Sequence, residues 1–346
     1  MRLQEDTPQA LKEMLYMCAG LFLCNQLSNK LEVVANNIGM ANVCLVPFAW
    51  LFTRGQGVKI FSLVAKYCRG EGVCIPVIKY GQYWSRRGYP RDLEESSYEG
   101  AIVLVATPGI YMEPIAVMDY GSLYPSSMIA ENISHDTLVW FQIKAADGSL
   151  LYEWGNREYE NLPGYKYNLV EYDNIFGDGD KKYKSGKTVC CYAEKENGEK
   201  GIIPRILQGL LKARKATRKR ITLSQFKLKD GSVVNGWGEK NKEGTAYEVL
   251  DENGKEKHIL EVDSVEEVSE LYNDFQKNVL DGLQLAYKIT ANSLYGQIGA
   301  KTSPINVKEL AASTTATGRE QLRIARDFTE TEYPGAKCVY GDSVSG

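Results

Sequence analysis

The 346-residue sequence predicts an α+β fold in which long helices and short strands occupy different parts of the chain. Apolar residues recur at helical spacing across 203–221, 265–296 and 306–333. By contrast, 100–120 contains two β-rich runs around a Pro-Gly turn, and 141–200 is polar and rich in Gly, Asp, Lys and Tyr. We therefore expect a small antiparallel sheet with a helical hairpin inserted in it.

The remaining segments are assigned in the same way. Residues 8–37 have helical periodicity that ends near "NNIGMAN", and 46–68 predicts a loop leading into a second amphipathic helix. The polar stretch 87–97 carries Gly and Pro and is typical of a linker. Residues 122–133 predict a turn entering a helix. Residues 226–262 alternate polar and β-prone residues around Asp-Gly and Asn-Gly turns, which predicts an inserted hairpin.

Composition indicates a globular protein, with 44% hydrophobic and 25% charged residues. The net charge of -3 does not exclude a nucleic-acid partner, because the local sign of the charge decides binding. Eight cysteines without a CxxC pair, and only two histidines, argue against zinc. The apolar stretch 14–24 is too short to span a bilayer and follows acidic residues, so we expect an intracellular protein without membrane association.

Asp119 lies in "VMDYGSLYPSSM", where it is predicted to end an apolar strand at the edge of a sheet. A carboxylate in that position is a suitable ligand for Mg²⁺, which prefers oxygen donors. The following turn exposes backbone N–H groups, and such groups beside a hard cation suit a triphosphate. The alternative is a structural role, in which Asp119 caps the helix that follows.

Two helical stretches carry further candidate residues. Seven Lys or Arg residues lie between 205 and 220, with Arg214 and Arg218 one turn apart, which predicts either a solvated cationic face or a phosphate site. In "QLAYKITANSLYG", Lys288, Asn292 and Tyr295 share one helical face. That face is either an ordinary polar surface or one that contacts a nucleotide through charge, hydrogen bonding and stacking.

Taken together and in this order, these segments resemble the family B DNA-directed DNA polymerases, of the delta-like and large-DNA-virus type. The matching segments are "YEGA" (98–101), "DYGSLYPSS" (119–127), "KITANSLYG" (288–296) and "YGD" (340–342), with weaker similarity in "RGQGVK" (54–59) and "SHDTLVW" (134–140). The resemblance implies a palm with a small antiparallel sheet and helices, into which two-helix fingers are inserted. The implied division is 1–97 as the end of the exonuclease region with linker helices, 98–200 as the first part of the palm, 201–300 as the fingers, and 301–346 as the second part of the palm.

The resemblance also implies the site. Asp119, the carbonyl of Tyr120 and Asp342 would lie at two catalytic Mg²⁺ ions, with Asp119, Lys288 and Asp342 as the catalytic residues. The incoming deoxynucleoside triphosphate would contact a further set: Ser122, Leu123, Tyr124, Arg214, Lys288 and Asn292. Within that set, Tyr124 would lie beneath the sugar and exclude a ribose 2′-OH. Primer–template DNA would contact Tyr98, Gly100, Tyr295 and Gly296.

The sequence departs from the family pattern at three places. The motif that begins "YGD" should continue "TDS", yet Ser343 and Val344 follow, so the second metal-binding carboxylate is missing. "YMCAG" (16–20) aligns with an exonuclease motif but has Gly20 in place of its carboxylate. The exonuclease and thumb are expected to be largely absent. One explanation for the ending is an intein junction, at which Ser343 would be the splicing nucleophile. The alternative is a truncation or a frameshift after Asp342.

The predicted function is template-directed DNA synthesis, by deoxynucleotidyl transfer to a primer 3′-OH, as part of a larger replicative polymerase. The alternative is a non-catalytic, degenerate member that binds DNA or acts as a scaffold. Expected partners are primer–template DNA, dNTPs and a sliding-clamp processivity factor. For a viral protein the expected location is the host nucleus or a cytoplasmic viral factory.

Overall fold

The computed structural model describes residues 8–76, 97–177, 181–241 and 243–343. The chain forms two compact units. One unit combines the chain up to Thr53 with Ala213–Tyr287, and the other combines Arg54–Lys212 with the chain from Lys288 onward. Most of the predicted linker 87–97 lies outside the described residues. The described residues include no helix that could span a lipid bilayer.

The unit that includes Lys288 is built on a five-stranded antiparallel sheet in the order β1-β4-β5-β2-β3. Its strands are β1 (Ser97–Tyr98), β2 (Leu138–Lys144), β3 (Leu150–Gly155), β4 (Tyr165–Phe176) and β5 (Tyr183–Lys195). Its helices, two of which also contribute to the other unit, are α4 (Gln56–Glu71), α5 (Leu123–Ala130), α6 (Ile202–Ile221), α7 (Asp274–Gly299) and α8 (Lys308–Glu332). The α+β class predicted from the sequence is thus confirmed.

The core of this unit lies where β5 and the first half of α8 are both buried. Cys190, Cys191 and Tyr192 in β5 are fully buried. The Tyr192 hydroxyl donates a hydrogen bond to Ser313 Oγ on α8 over 2.9 Å. Small side chains dominate the buried half of α8, and this lets neighbouring segments approach the helix backbone closely. The carboxyl half of α8 is amphipathic and more exposed.

The other unit contains a second five-stranded antiparallel sheet, in the order β10-β6-β7-β8-β9. Its strands are β6 (Ser224–Leu228), β7 (Val233–Lys240), β8 (Ala246–Asp251), β9 (Lys257–Glu261) and β10 (Val265–Glu270), and its helices are α1 (Pro8–Lys30), α2 (Val33–Cys44) and α3 (Trp50–Thr53). Phe226 and Val249 form its interior. A Cβ at Gly238 would lie 2.3 Å from Phe226 Cζ, so the ring fills the space of the absent side chain.

Several sequence-based boundaries were wrong. The expected hairpin at 226–262 is part of this larger sheet, because 265–270 pairs with β6 as a strand instead of starting the helix of 265–296. The first helical region does not end near 37, since α2 continues to Cys44. Residues 100–120 form no regular strands; a single bridge joins Val103 to Asp342. Their apolar residues indicated strands, but most of their side chains are exposed and lack a covering layer.

The amino end of α6 is fixed by side chains from the "SHDTLVW" segment. The Asp136 carboxylate accepts hydrogen bonds from the N–H of Ile202 over 3.1 and 3.2 Å, and Ser134 Oγ accepts from the N–H of Ile203 over 3.2 Å. First-turn N–H groups have no partner within a helix, and a negative charge at that end favours the helix dipole. A segment 66 residues earlier in the chain therefore sets where the basic helix begins.

We predict that Asp136→Ala lowers the free energy of unfolding by about 1–2 kcal/mol, the usual cost of removing a helix cap. Denaturant unfolding of the full gene product measures the change. Asp263→Ala, at an exposed position, is the control and should stay within about 0.5 kcal/mol of the parent. Equal effects of the two substitutions would contradict the capping role of Asp136.

Candidate functional site

Three tyrosines from separate segments meet in the unit that includes Lys288. Tyr98 comes from β1, Tyr124 from α5 and Tyr295 from α7. The ring centroids of Tyr124 and Tyr295 are 4.6 Å apart with an interplanar angle of 51°. The phenols of Tyr98 and Tyr295 hydrogen-bond to each other. The fold thus joins three of the segments that carried the sequence resemblance, and we call these residues the tyrosine cluster.

The tyrosine cluster is neutral. Burial raises the pKa of Tyr98, Tyr124 and Tyr295 above the ordinary value, because an ionised phenolate loses its hydration there. For Tyr124, a hydrogen bond with the Ser343 hydroxyl opposes that rise in pKa. The cluster therefore consists of uncharged rings whose hydroxyl groups both donate and accept hydrogen bonds.

Helix α8 fixes the "YEGA" segment next to this cluster. The buried Arg319 side chain donates hydrogen bonds from Nη1 to the carbonyl oxygens of Glu99 and Gly100, the latter over 2.8 Å. Its Nε lies 3.5 Å from Glu99 Oε2, and Thr315 Oγ1 also donates to the Glu99 carbonyl over 3.0 Å. Burial lowers the pKa of Arg319, and the Glu99 carboxylate opposes this shift. Arg319 and Thr315 thereby hold the backbone that follows Tyr98.

The "YGD" segment also reaches the cluster. The N–H of Ser343 donates to the Ile102 carbonyl over 2.9 Å, and the N–H of Ile102 donates to Ser343 Oγ over 2.8 Å. Leu104 N–H donates to the Gly341 carbonyl over 2.7 Å. Ser343 is buried, whereas Asp342 is exposed and its carboxylate accepts a hydrogen bond from the Tyr340 hydroxyl over 2.6 Å. Residues 344–346 lie outside the described part of the chain.

Asp119 is not at the end of a strand, as its sequence context predicted, but in an exposed irregular segment before α5. Asp119 and Asp342 are oxygen donors of the kind that Mg²⁺ prefers. However, no group of three His, Cys, Asp or Glu side chains that could hold a metal occurs among the described residues. The magnesium site at Asp119, the Tyr120 carbonyl and Asp342 therefore stays a prediction.

The turn after Asp119 leads directly into the cluster. Tyr120 is partly exposed, and its hydroxyl donates to the Gln321 carbonyl on α8 over 3.0 Å. Ser122 adopts the left-handed conformation at φ 59° and immediately precedes α5. Leu123 and Tyr124, in the first turn of α5, are both buried. This geometry explains the tight "DYGSLYP" spacing, since a sharp change of direction brings the Tyr124 ring inside within five residues of Asp119.

The three polar residues that were predicted to share one helical face all lie in α7. Lys288, Asn292 and Tyr295 are all half-buried along the helix, between fully buried apolar positions, and Gly296 is exposed. Arg214 belongs to the other unit, where its Nε donates to Gln284 Oε1 over 3.2 Å. The structure thus brings Tyr98, Tyr124 and Tyr295 together in one unit, whereas Arg214 belongs to the other unit.

The sequence analysis did not identify two residues that position the tyrosine cluster and the backbone beside it. Gly318 and Arg319 lie in "TTATGRE", a pattern that is typical of a small-residue helix contact followed by a surface Arg. Arg319 is in fact buried, and Gly318 lies against the ring of Tyr124. The available signal was the run of small residues before Gly318, because such a run allows close approach of other segments.

Comparisons with known proteins identify the family of this chain. The model of DNA polymerase family B matches residues 46–232 and 265–345, leaving out most of the second sheet. This match covers more than half of the chain, so the chain belongs to DNA polymerase family B. The family assignment made from the four sequence segments is confirmed.

Similar curated proteins include a DNA polymerase of Pyramimonas orientalis virus, 52% identical over 329 residues, or 93% of this chain and 25% of that protein. A DNA polymerase of Phaeocystis pouchetii virus is 34% identical, with 91% and 27% covered. The DNA polymerase delta catalytic subunit of Drosophila melanogaster is 27% identical, with 96% and 23% covered. The chain thus spans about a quarter of the length of these relatives.

A solved structure has a similar fold. The family B DNA polymerase from the hyperthermophilic archaeon Pyrobaculum calidifontis matches with a TM-score of 0.52 and 19% sequence identity. The match covers 98% of this chain and 32% of that chain. The α+β fold of this chain is therefore that of a family B polymerase segment.

We predict that Arg319→Met destabilises the "YEGA" segment, because two backbone carbonyls lose their buried hydrogen-bond donor. The expected cost in the free energy of unfolding is about 1–3 kcal/mol. Hydrogen exchange of residues 97–101 in the full gene product should accelerate, and the unfolding free energy should fall by that amount. Arg323→Met is the control, since Arg323 is largely exposed. Unchanged exchange at 97–101 would contradict the role given to Arg319.

We further predict a pH effect from the tyrosine cluster. Above about pH 10, unfolded tyrosines lose protons that these buried phenols retain, so the folded state loses stability as the pH rises. Tyr295→Phe removes one such phenol and should make the fall in unfolding free energy between about pH 10 and 11 shallower. Denaturant titrations at several pH values measure both slopes, and identical slopes would refute the assignment.

Proposed function

We propose that this chain is the nucleotide-selecting part of a DNA polymerase, which extends a primer 3′-OH with deoxynucleotides directed by a template. The observation that carries this proposal is the convergence of Tyr98, Tyr124 and Tyr295 beside Ser343. These residues span 98–343 in sequence, yet they share contacts in one unit. A purely structural core would not need four motif segments of this family at one place.

In the proposed reaction the chain mainly positions groups and neutralises charge. The first-turn N–H groups of α5 lie directly after the Ser122 turn and would bind the triphosphate, as helix amino ends bind phosphate. The neutral Tyr124 ring would lie beneath the deoxyribose and leave no space for a 2′-OH. Lys288 would supply positive charge, and Asn292 a hydrogen bond, to the same nucleotide, whereas a triphosphate contact of Arg214 stays a prediction from the sequence resemblance.

DNA would be bound on the other side of the cluster. Tyr295 and Gly296 would contact the nascent base pair, and the backbone at Tyr98 and Gly100, held by Arg319, would follow the template. Two Mg²⁺ ions remain a prediction: Asp119, the carbonyl of Tyr120 and Asp342 would hold them, and the bound metal would stabilise the negative charge of the reacting groups. A sliding-clamp partner and a location in a host nucleus or viral factory are likewise predictions.

The second candidate function is non-catalytic DNA binding. It is favoured by the missing carboxylate at Val344 and by the lack of a three-ligand metal group among the described residues. The two candidates make different predictions for Asp119, because only a catalytic protein requires its charge.

We predict that Asp119→Asn in the full gene product reduces primer extension by on the order of 10²–10³-fold, as expected when a charged group acting at the reaction centre is lost. Primer–template binding should change by less than about threefold, since Asp119 does not contact the duplex in this proposal. The exposed Asp263→Asn is the control. Binding of DNA without any extension by the parent protein would support the non-catalytic alternative.

A further inference from the structure

Gly318 on α8 is packed directly against the ring of Tyr124. A Cβ placed at Gly318 would lie 2.8 Å from Tyr124 Cε1 and 3.2 Å from Tyr124 Cδ1. Real Cβ atoms essentially never come within 3.0 Å of another heavy atom, so the ring occupies the space that any other residue would need. The backbone of Gly318 is ordinary helix, and the constraint is therefore contact with this ring.

The Tyr124 ring is also held on its other sides. The ring of Tyr295 packs against it at 4.6 Å, and its hydroxyl hydrogen-bonds with Ser343. Ser343 is in turn fixed by two hydrogen bonds with the backbone of Ile102. Only 4% of Tyr124 is exposed, so the ring has one packed position.

Helix α8 is a firm surface for this ring. Leu310, Ala311 and Ala312, two turns before Gly318, are fully buried, and Arg319 immediately after it is bonded to the "YEGA" backbone. Moving the helix would disturb all of these contacts, whereas moving the ring disturbs only the cluster. A methyl group at position 318 is therefore expected to displace Tyr124 and not α8.

We propose that Gly318 is a positioning residue that sets the location of the Tyr124 ring and, through it, the discrimination between deoxyribonucleotides and ribonucleotides. This inference rests on the proposed function, in which Tyr124 lies beneath the sugar. Gly318 does not touch the nucleotide. Because Gly318 has no side chain, the Tyr124 ring can pack in one fixed position. Steric exclusion of a 2′-OH requires that this ring does not move aside.

The test compares four forms of the full gene product: the parent, Gly318→Ala, Tyr124→Ala and the double variant. The measured quantity is the ratio of kcat/KM for a dNTP to kcat/KM for the matching rNTP in single-nucleotide primer extension. A general loss of structure lowers kcat/KM for the dNTP and for the rNTP alike, so it leaves their ratio unchanged. Gly70→Ala is the matched control, because Gly70 is also helical and a Cβ added there would meet no heavy atom within 4 Å.

We expect Gly318→Ala to lower the ratio by about tenfold in the parent background and by less than about twofold in the Tyr124→Ala background, as for coupled neighbours. An unchanged ratio in folded Gly318→Ala overturns the inference, as does an equal loss in both backgrounds. If Tyr124→Ala itself leaves the ratio unchanged, the role of Tyr124 in the proposed function fails first.

A second measurement covers the case in which Gly318→Ala does not fold. The contact explanation then requires that Tyr124→Ala, by removing the ring, restores the thermal transition in the double variant. Recovery of the transition supports the packing of Gly318 against Tyr124. Failure to recover, with Tyr124→Ala alone folded, shows that position 318 acts by another route and overturns the inference.

Discussion

Close packing against the first half of α8 is the constraint on which the rest of the site depends. This half is buried along Leu310 to Arg319 because its side chains are mostly small or short. Such a surface lets Tyr192 of β5 donate a hydrogen bond to Ser313, and it lets the Tyr124 ring lie against Gly318. It also places the long Arg319 side chain where its charge is satisfied by backbone carbonyls. A helix of larger residues would keep these segments apart.

Hydrogen bonds between polar groups, and not only burial of apolar side chains, hold the motif segments in place. Arg319 and Thr315 hold the carbonyl of Glu99, and Ser343 exchanges hydrogen bonds with Ile102. Buried polar groups that keep their partners specify one arrangement, because any shift leaves an unsatisfied donor or acceptor. The tyrosine cluster is therefore located by hydrogen bonds and shaped by packing.

The sequence predicted the helices α6 and α8 well, because their apolar residues recur over many turns and few alternatives fit. It failed at 100–120 and 265–270, where short β-prone runs carry no information about which strand, if any, will pair with them. The family motifs identified Tyr124 and Tyr295 individually. Their partners Gly318 and Arg319 could not be assigned from spacing, since a glycine and an arginine on a helix are equally compatible with an exposed surface.

We propose that the tyrosine cluster contacts the sugar of the incoming nucleotide. The most direct measurement is a structure of the full gene product with primer–template DNA and a non-hydrolysable dNTP analogue. We expect the Tyr124 ring to lie against the 2′ carbon of the analogue, still packed between Tyr295 and Gly318. A nucleotide bound away from Tyr124, or a Tyr124 ring that has left Gly318, would contradict this claim.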